Sequence, residues 1–206
     1  MTAHPLQIRI AVEDELSEMV VRRILDDCNT RFQIVACHRK SGIGYLQKQT
    51  NSFNLAAVHI PFLMLMDLDR AACPATLIEK CLTHKQHPNF LFRVAVREVE
   101  SWLLADRGGL ARFLGVSQAL FPQNPDQLID PKLVLINIAR KSRRRNIREN
   151  VVPATDFNSI GPGYNSTLTQ FVMSGWHFRS ACKHSESLMR FCRRVDEFRP
   201  VPPNPE

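Results

Sequence analysis

The first half of the chain switches repeatedly between two hydrophobic periods. The runs "LQIRIAVED", "RFQIVACHR", "FLMLMDLD" and "NFLFRVAVRE" are short, apolar and rich in β-branched and aromatic residues, as strands are. Between them the spacing lengthens. In "ELSEMVVRRILDDC", Leu16, Met19, Val20, Ile24 and Cys28 recur at helical intervals with charges opposite. Asp14 stands where an N-cap, or a first-turn acid, suits the helix dipole. "GIGYLQKQT" predicts a short helix, and "PATLIEKCLTHKQ" a helix with Pro74 at its start. "VESWLLAD" begins another. This alternation over residues 1–106 predicts an α/β fold with a mostly parallel four-stranded sheet, helices on both faces and right-handed crossovers.

The second half reads as helical. "GGLARFLGV" predicts a short helix and "FPQNPDQLIDP" a turn-rich link. "KLVLINIARKSRRRNIRE" predicts one long helix, apolar at Leu133, Leu135, Ile136 and Ile138 and basic at its end. "SIGPGYNST" reads as a loop, followed by helices in "TLTQFVMSGW" and "FRSACKHSESLMRFCRRVDEF". Residues 107–198 are expected to form a helical extension packed on the core, and 199–206, "RPVPPNPE", a disordered tail.

Charge sharpens this division. Residues 1–106 carry 12 Lys/Arg against 12 Asp/Glu, whereas residues 107–206 carry 15 against 8, so the whole formal charge of +7 lies in the second half. That asymmetry points to a polyanionic partner for the C-terminal part. No apolar stretch approaches the roughly 18 residues of a membrane span. The opening "MTAHPLQIRIAVEDE" lacks the layout of a secretory signal, so a cytoplasmic, non-membrane protein is expected. The six cysteines include no C-x-x-C pair and read as reduced thiols, and Cys182, His184 and Cys192 match no common zinc spacing.

Three of the four predicted strands end in acids: Glu13 and Asp14, Asp67 and Asp69, Glu98 and Glu100. Ligands of parallel sheets gather beyond the carboxyl ends of the strands. Neighbouring strands lie about 4.8 Å apart, so these carboxylates are expected to converge on one pocket. If the third strand runs through both residues of its D-x-D, Asp67 and Asp69 point the same way. Glu18 lies one turn beyond Asp14 on the following helix. Clustered carboxylates repel and resist burial, and a bound cation relieves both costs. An oxygen-rich set of this kind suits Mg²⁺ or Mn²⁺, one or two ions, which assist phosphodiester hydrolysis. Helix capping and pairing with Arg22, Arg23, Arg70 or Arg97 is the other reading of the same acids.

Here "AVEDELSE", "LMLMDLDR" and "AVREVESWLLAD" resemble, in order, the acidic motifs of the Toprim fold shared by topoisomerases, DnaG-type primases and OLD-family nucleases. "REVESWLLAD" and "GPGYN" further resemble small stand-alone bacterial Toprim-like proteins, often encoded beside AAA ATPases in defence loci. The resemblance covers residues 7–106 best. It implies Glu13 as the first-motif acid, Asp67 and Asp69 as metal ligands, Glu18 as a second acid, and Glu100, with Glu98 behind it, as the acid after the fourth strand. The family's first motif has glycine where this chain has Asp14. Tyr45 and Tyr164 are the only tyrosines, and neither a topoisomerase nucleophile domain nor a primase template module is evident, so the nuclease branch fits best. Lys132 is a candidate for stabilising transition-state charge.

Arg140, Lys141, Arg143, Arg144, Arg145 and Arg148 fall within nine residues with no acid among them. A nucleic-acid backbone would relieve their repulsion, and DNA is favoured over RNA as the partner. Few exposed aromatics are evident, so phosphate contact rather than base stacking is expected. "GPGYN" could present amides to a phosphate, although a tight loop is the simpler reading. His177 reads as packing rather than as a base. The expected function is a metal-dependent nuclease in bacterial phage defence or DNA processing, with an AAA/ABC-type ATPase partner implied by the resemblance and homo-oligomerisation compatible with it. A non-catalytic nucleic-acid-binding or ATPase-docking subunit is the alternative.

Overall fold

The computed structural model describes residues 5–28, 30–39, 44–155 and 157–202. Four parallel strands, β1 (Leu6–Val12), β2 (Phe32–Arg39), β3 (Phe62–Asp67) and β4 (Phe90–Ala95), form one sheet in the order β2-β1-β3-β4. In the central strand β1, Ile10 lies between Cys37 of β2 and Leu63 of β3. The β1–β2 register shifts once, between Ile8 and Arg9. Phe62 to Met66 are all buried, which is why β3 reads as an unbroken apolar run rather than an alternating one. Helices surround the sheet, as the pattern predicts.

Helix α1 (Glu15–Asp26) starts where Asp14 accepts the Ser17 amide at 2.8 Å. Its buried face comprises Leu16, Val20, Val21, Ile24 and Leu25, with Met19 only half-buried. Helix α2 (Tyr45–Ala56) has 12 residues and is longer than the short helix expected. Two of its inward positions are polar, which hides it from a hydrophobic-period reading. Thr50 donates back to the Leu46 carbonyl, and the buried Asn54 side chain binds the Lys85 carbonyl at 3.0 Å and the His87 amide at 2.8 Å. Phe53 stacks on Phe62, with ring centres 4.6 Å apart. Helix α3 (Pro74–Cys81) begins at Pro74 as expected.

The chain divides into two compact units. One comprises the residues up to 94 together with those from 191 onward, and the other comprises 95–190. The boundary therefore lies before the third acidic motif rather than at 106, and the last stretch of the chain belongs with the sheet. Phe198 is buried and stacks on Phe32. Asn89 clasps Val201 from both sides, donating to its carbonyl at 2.9 Å and accepting its amide at 2.8 Å. Residues 199–201 are thus tied down rather than a disordered tail, and 203–206 lie outside the described residues.

The second unit contains α4 (Val99–Ala105), α5 (Arg107–Leu114), two 3-10 turns (Gln118–Leu120 and Pro125–Gln127), α6 (Pro131–Arg140), α7 (Arg145–Val151), α8 (Tyr164–Ser174) and α9 (Phe178–Ala181). A further helix, α10 (Glu186–Asp196), runs to the segment that rejoins the sheet. All of α4 is buried, and Trp102 donates its indole N–H to the Ser187 hydroxyl at 3.0 Å. The long helix expected from 132 onward is broken into α6 and α7. Buried Ser142 causes the break: its hydroxyl donates to the Leu114 carbonyl and accepts the Arg144 amide at 3.0 Å, offering the backbone an alternative to the helix ladder. No helix among the described residues is long and apolar enough to cross a membrane.

Candidate functional site

The acids predicted to converge are divided between the two units. Glu13, Asp14, Glu18, Asp67 and Asp69 belong to the sheet unit, and Glu98 and Glu100 to the helical one.

In the sheet unit the strand order reverses between β1 and β3, the switch point where parallel sheets open a crevice at their carboxyl ends. Glu13 follows β1 and Asp67 ends β3. They are joined directly, because the Asp67 amide donates to Glu13 Oε1 at 3.2 Å. Both side chains belong to half-buried residues. The D-x-D does not behave as an extended strand would. β3 stops at Asp67, Leu68 turns inward, and exposed Asp69 has φ +48° in the left-handed region, which aspartate tolerates better than most residues. Alternation along a strand therefore does not set the direction of Asp69. Asp14 is occupied as the cap of α1. Glu18 binds Arg22 Nη2 at 2.8 Å and faces Arg39 at 3.5 Å. Burial and the adjacent Glu18 carboxylate together push the Cys37 thiol up to about 11.

Among the described residues no three His, Cys, Asp or Glu side chains form a ready metal cage. Magnesium asks for less. It is commonly held by one or two carboxylates, with water and substrate phosphate completing the shell. The joined Glu13 and Asp67, all-oxygen donors at a switch point, fit that mode.

The helical unit builds a second cluster from three distant parts of its sequence. Glu98 precedes α4 and Glu100 lies in its first turn. Lys132 comes from the first turn of α6, where its amide donates to Glu98 Oε2 at 3.1 Å. Its ammonium lies 3.7 Å from Glu98 Oε1 and 3.6 Å from Glu100 Oε1. Tyr164, the first residue of α8, donates its hydroxyl to Glu100 Oε1 at 2.9 Å. Glu100 is only 2 % exposed. Burial pushes its carboxyl up to about 7, opposed by Lys132 and the Tyr164 hydrogen bond and reinforced by Glu98. A group held there exchanges its proton near neutral pH. The sequence reading selected Glu98, Glu100 and Lys132 but missed Tyr164 as their partner. "GPGYN" is the available signal, but its sequence points to a tight loop or phosphate contact and not to a tyrosine partner for Glu100.

That loop does not offer its glycine amides to a ligand. The Gly161 and Gly163 amides donate to the Val151 and Asn150 carbonyls at 3.1 and 2.9 Å. A Cβ on either glycine would collide with Asn150. The glycines therefore serve close packing on the end of α7, which delivers Tyr164 to Glu100.

The basic segment is exposed throughout: Arg140, Lys141, Arg143, Arg144, Arg145 and Arg148 all face solvent. Because the helix breaks at Ser142, they are spread over two helices and a turn. Arg145 pairs with Glu149 at 2.7 Å, Arg140 binds Asn137, and Arg148 donates to the Ser142 carbonyl. Phe157 is the one large aromatic that is exposed among the described residues, in keeping with the expectation of few. The His177 side chain is exposed rather than packed, and its backbone amide donates to buried Asp106 at 2.8 Å.

No family model, curated protein or solved structure matches this chain.

Proposed function

We propose that this chain is a metal-dependent nuclease-like protein that hydrolyses phosphodiester bonds of nucleic acid, DNA in preference to RNA. The observation that carries the reading is the hydrogen-bonded Glu13–Asp67 pair at the β1/β3 switch point. Glu13 and Asp67 would hold Mg²⁺ or Mn²⁺, with Asp69 beside them on the turn after β3. The ion would supply charge neutralisation on the phosphate and a more acidic water. The helical unit carries an acid–base cluster of its own. Glu100 exchanges a proton near neutral pH. Lys132 holds positive charge beside it, and Glu98 fixes Lys132 through both its amide and its ammonium. The exposed cations from Arg140 to Arg148 attract and position the phosphate backbone. The acidic-motif resemblance supports the same reading and suggests bacterial defence or DNA processing with an ATPase partner.

A second reading has its own observation. Asp14 is occupied as a cap and Glu18 as an arginine partner, so part of the acidic set has structural work. On that reading the chain binds nucleic acid, or docks on an ATPase, without cutting. An Asp67→Asn/Asp69→Asn double variant separates the two. Purified wild-type protein with Mn²⁺ should nick plasmid, and the variant should lose about 100-fold or more of that rate, the scale of a lost metal site. Equal plasmid binding with no cleavage by either protein would overturn the nuclease reading in favour of the binding one.

A further inference from the structure

The break between α6 and α7 folds over the C-terminal end of α5, where a helix leaves its last carbonyls without intrahelical partners. Arg144 Nη1 donates to the Phe113 carbonyl at 3.0 Å, Ser142 to Leu114, and the Arg143 amide to Gly115 at 3.4 Å. Gly115 is required in this arrangement. Its φ is +70°, and a Cβ there would meet Arg144 Nε at 3.0 Å and Cγ at 3.1 Å. The Arg144 side chain is thereby laid across the helix end and fixed.

Beside this turn lies a cavity of about 670 Å³, lined by Val116, Ser117, Leu120, Lys141, Arg143 and Arg144 together with Gly115. Its size falls within the roughly 300–1,000 Å³ of small-molecule sites. Three cations enter it and no carboxylate does. Among the described residues none of the three is paired with an acid, unlike Arg145, which is held by Glu149. Val116 and Leu120 supply apolar wall, and Ser117 supplies a hydroxyl.

We propose that this cavity binds the terminal phosphate monoester of a nucleic-acid strand, with Lys141, Arg143 and Arg144 around the phosphate and the end nucleoside against Val116 and Leu120. An internal phosphodiester carries one negative charge and is part of a line of equals, which suits an open basic track. A monoester carries about −1.5 to −2 near neutral pH and offers three strong acceptor oxygens. Three cations with no acid partner among the described residues, grouped in a concavity, match the second pattern, with charge-assisted bonds from guanidinium groups. The proposal rests on the nucleic-acid part of the function above and not on hydrolysis.

The test is fluorescence anisotropy in EDTA, where hydrolysis cannot contribute, with one short single-stranded DNA carrying a 5′-phosphate, a 3′-phosphate or only hydroxyl ends. One phosphorylated form should bind at least about tenfold more tightly than the hydroxyl form at the same salt concentration, a difference of about 1.4 kcal/mol. Lys141→Ala/Arg143→Ala, at exposed positions and with an unchanged melting temperature, should erase that preference. Equal binding of all three forms overturns the proposal and leaves the nucleic-acid reading standing, as does a preference that survives in the double variant. Binding of none overturns both. Competition by a mononucleoside 5′-monophosphate at the oligonucleotide's own concentration range moves the site to free nucleotides and overturns the strand end as the ligand. Asp67→Asn/Asp69→Asn should retain the preference in full, which separates failure of this site from failure of the nuclease reading.

Discussion

Two groups of acids occur in this molecule, and their surroundings differ more than their sequences do. Around β1 and β3, half-buried or exposed carboxylates face backbone amides and arginines: Glu13 takes the Asp67 amide, Asp14 the Ser17 amide, and Glu18 binds Arg22 and Arg39. In the helical unit Glu100 is buried, with one lysine, one tyrosine and a second glutamate for company. The first environment offers carboxylate oxygens to amide and guanidinium donors. The second suits a carboxyl whose proton comes and goes. One residue class thus supplies two chemistries, and burial and the nearest donor decide which.

The sharpest way to break this contrast is to remove the proton-exchanging group. Glu100 is held at about 7 in the folded chain, against an ordinary value of 4.5. Below 4.5 the carboxyl is protonated whether the chain is folded or not, and it costs nothing. Between 4.5 and 7 the folded state binds the proton more tightly than the unfolded state, so stability falls as pH rises through this window. Above 7 the full penalty is present. Glu100→Gln removes it, so the variant should gain stability over wild type on going from pH 5 to pH 8. The gain is at most about 3 kcal/mol, read from urea unfolding at the two pH values. A constant difference between variant and wild type across that range would show that Glu100 does not titrate there.

Tyr164→Phe probes the same cluster more gently. The hydroxyl donates to Glu100 Oε1 and favours its charged form, so its loss should raise the Glu100 value further. The expected cost is about 1–2 kcal/mol at pH 8 and less at pH 5, where the carboxyl is already protonated. Chemical denaturation at both pH values checks it. A cost independent of pH would mean that the hydroxyl serves the protonated and the charged carboxyl of Glu100 equally.

The contrast also explains which parts could be read from sequence. The sheet was legible because each strand is a compact apolar run closed by turn residues or acids, and β3 is buried on both faces. Helix α2 was under-read because Thr50 and Asn54 occupy its inner face and satisfy themselves locally. The broken basic helix was missed because nothing in "ARKSRRRN" marks a stop. The break comes from the Ser142 hydroxyl reaching Leu114, 28 residues earlier. Lys132 and Glu98 could be named from sequence, but their pairing with Tyr164 depends on where α8 begins. Gly161 and Gly163 set that position by close packing on Asn150. Local chemistry was readable and long-range hydrogen bonding was not.

The smallest effect is expected at Glu18, which the resemblance makes a metal-site acid and the structure surrounds with Arg22, Arg39 and Cys37. The two assignments predict different outcomes for Glu18→Gln. As a partly exposed arginine partner, Glu18 should contribute under about 1 kcal/mol to stability, because such pairs are screened by solvent. Its loss should also lower the Cys37 thiol from about 11, since the carboxylate helps hold it up. Cys37 would then react faster with iodoacetamide at pH 8 than in the wild type, while burial keeps it slower than an exposed thiol. Mn²⁺-dependent cleavage should be unchanged. Loss of cleavage on the scale of Asp67→Asn, with Cys37 reactivity unaltered, would instead place Glu18 with Glu13 and Asp67, and the sheet's acids would then form one functional set rather than a pair with structural neighbours.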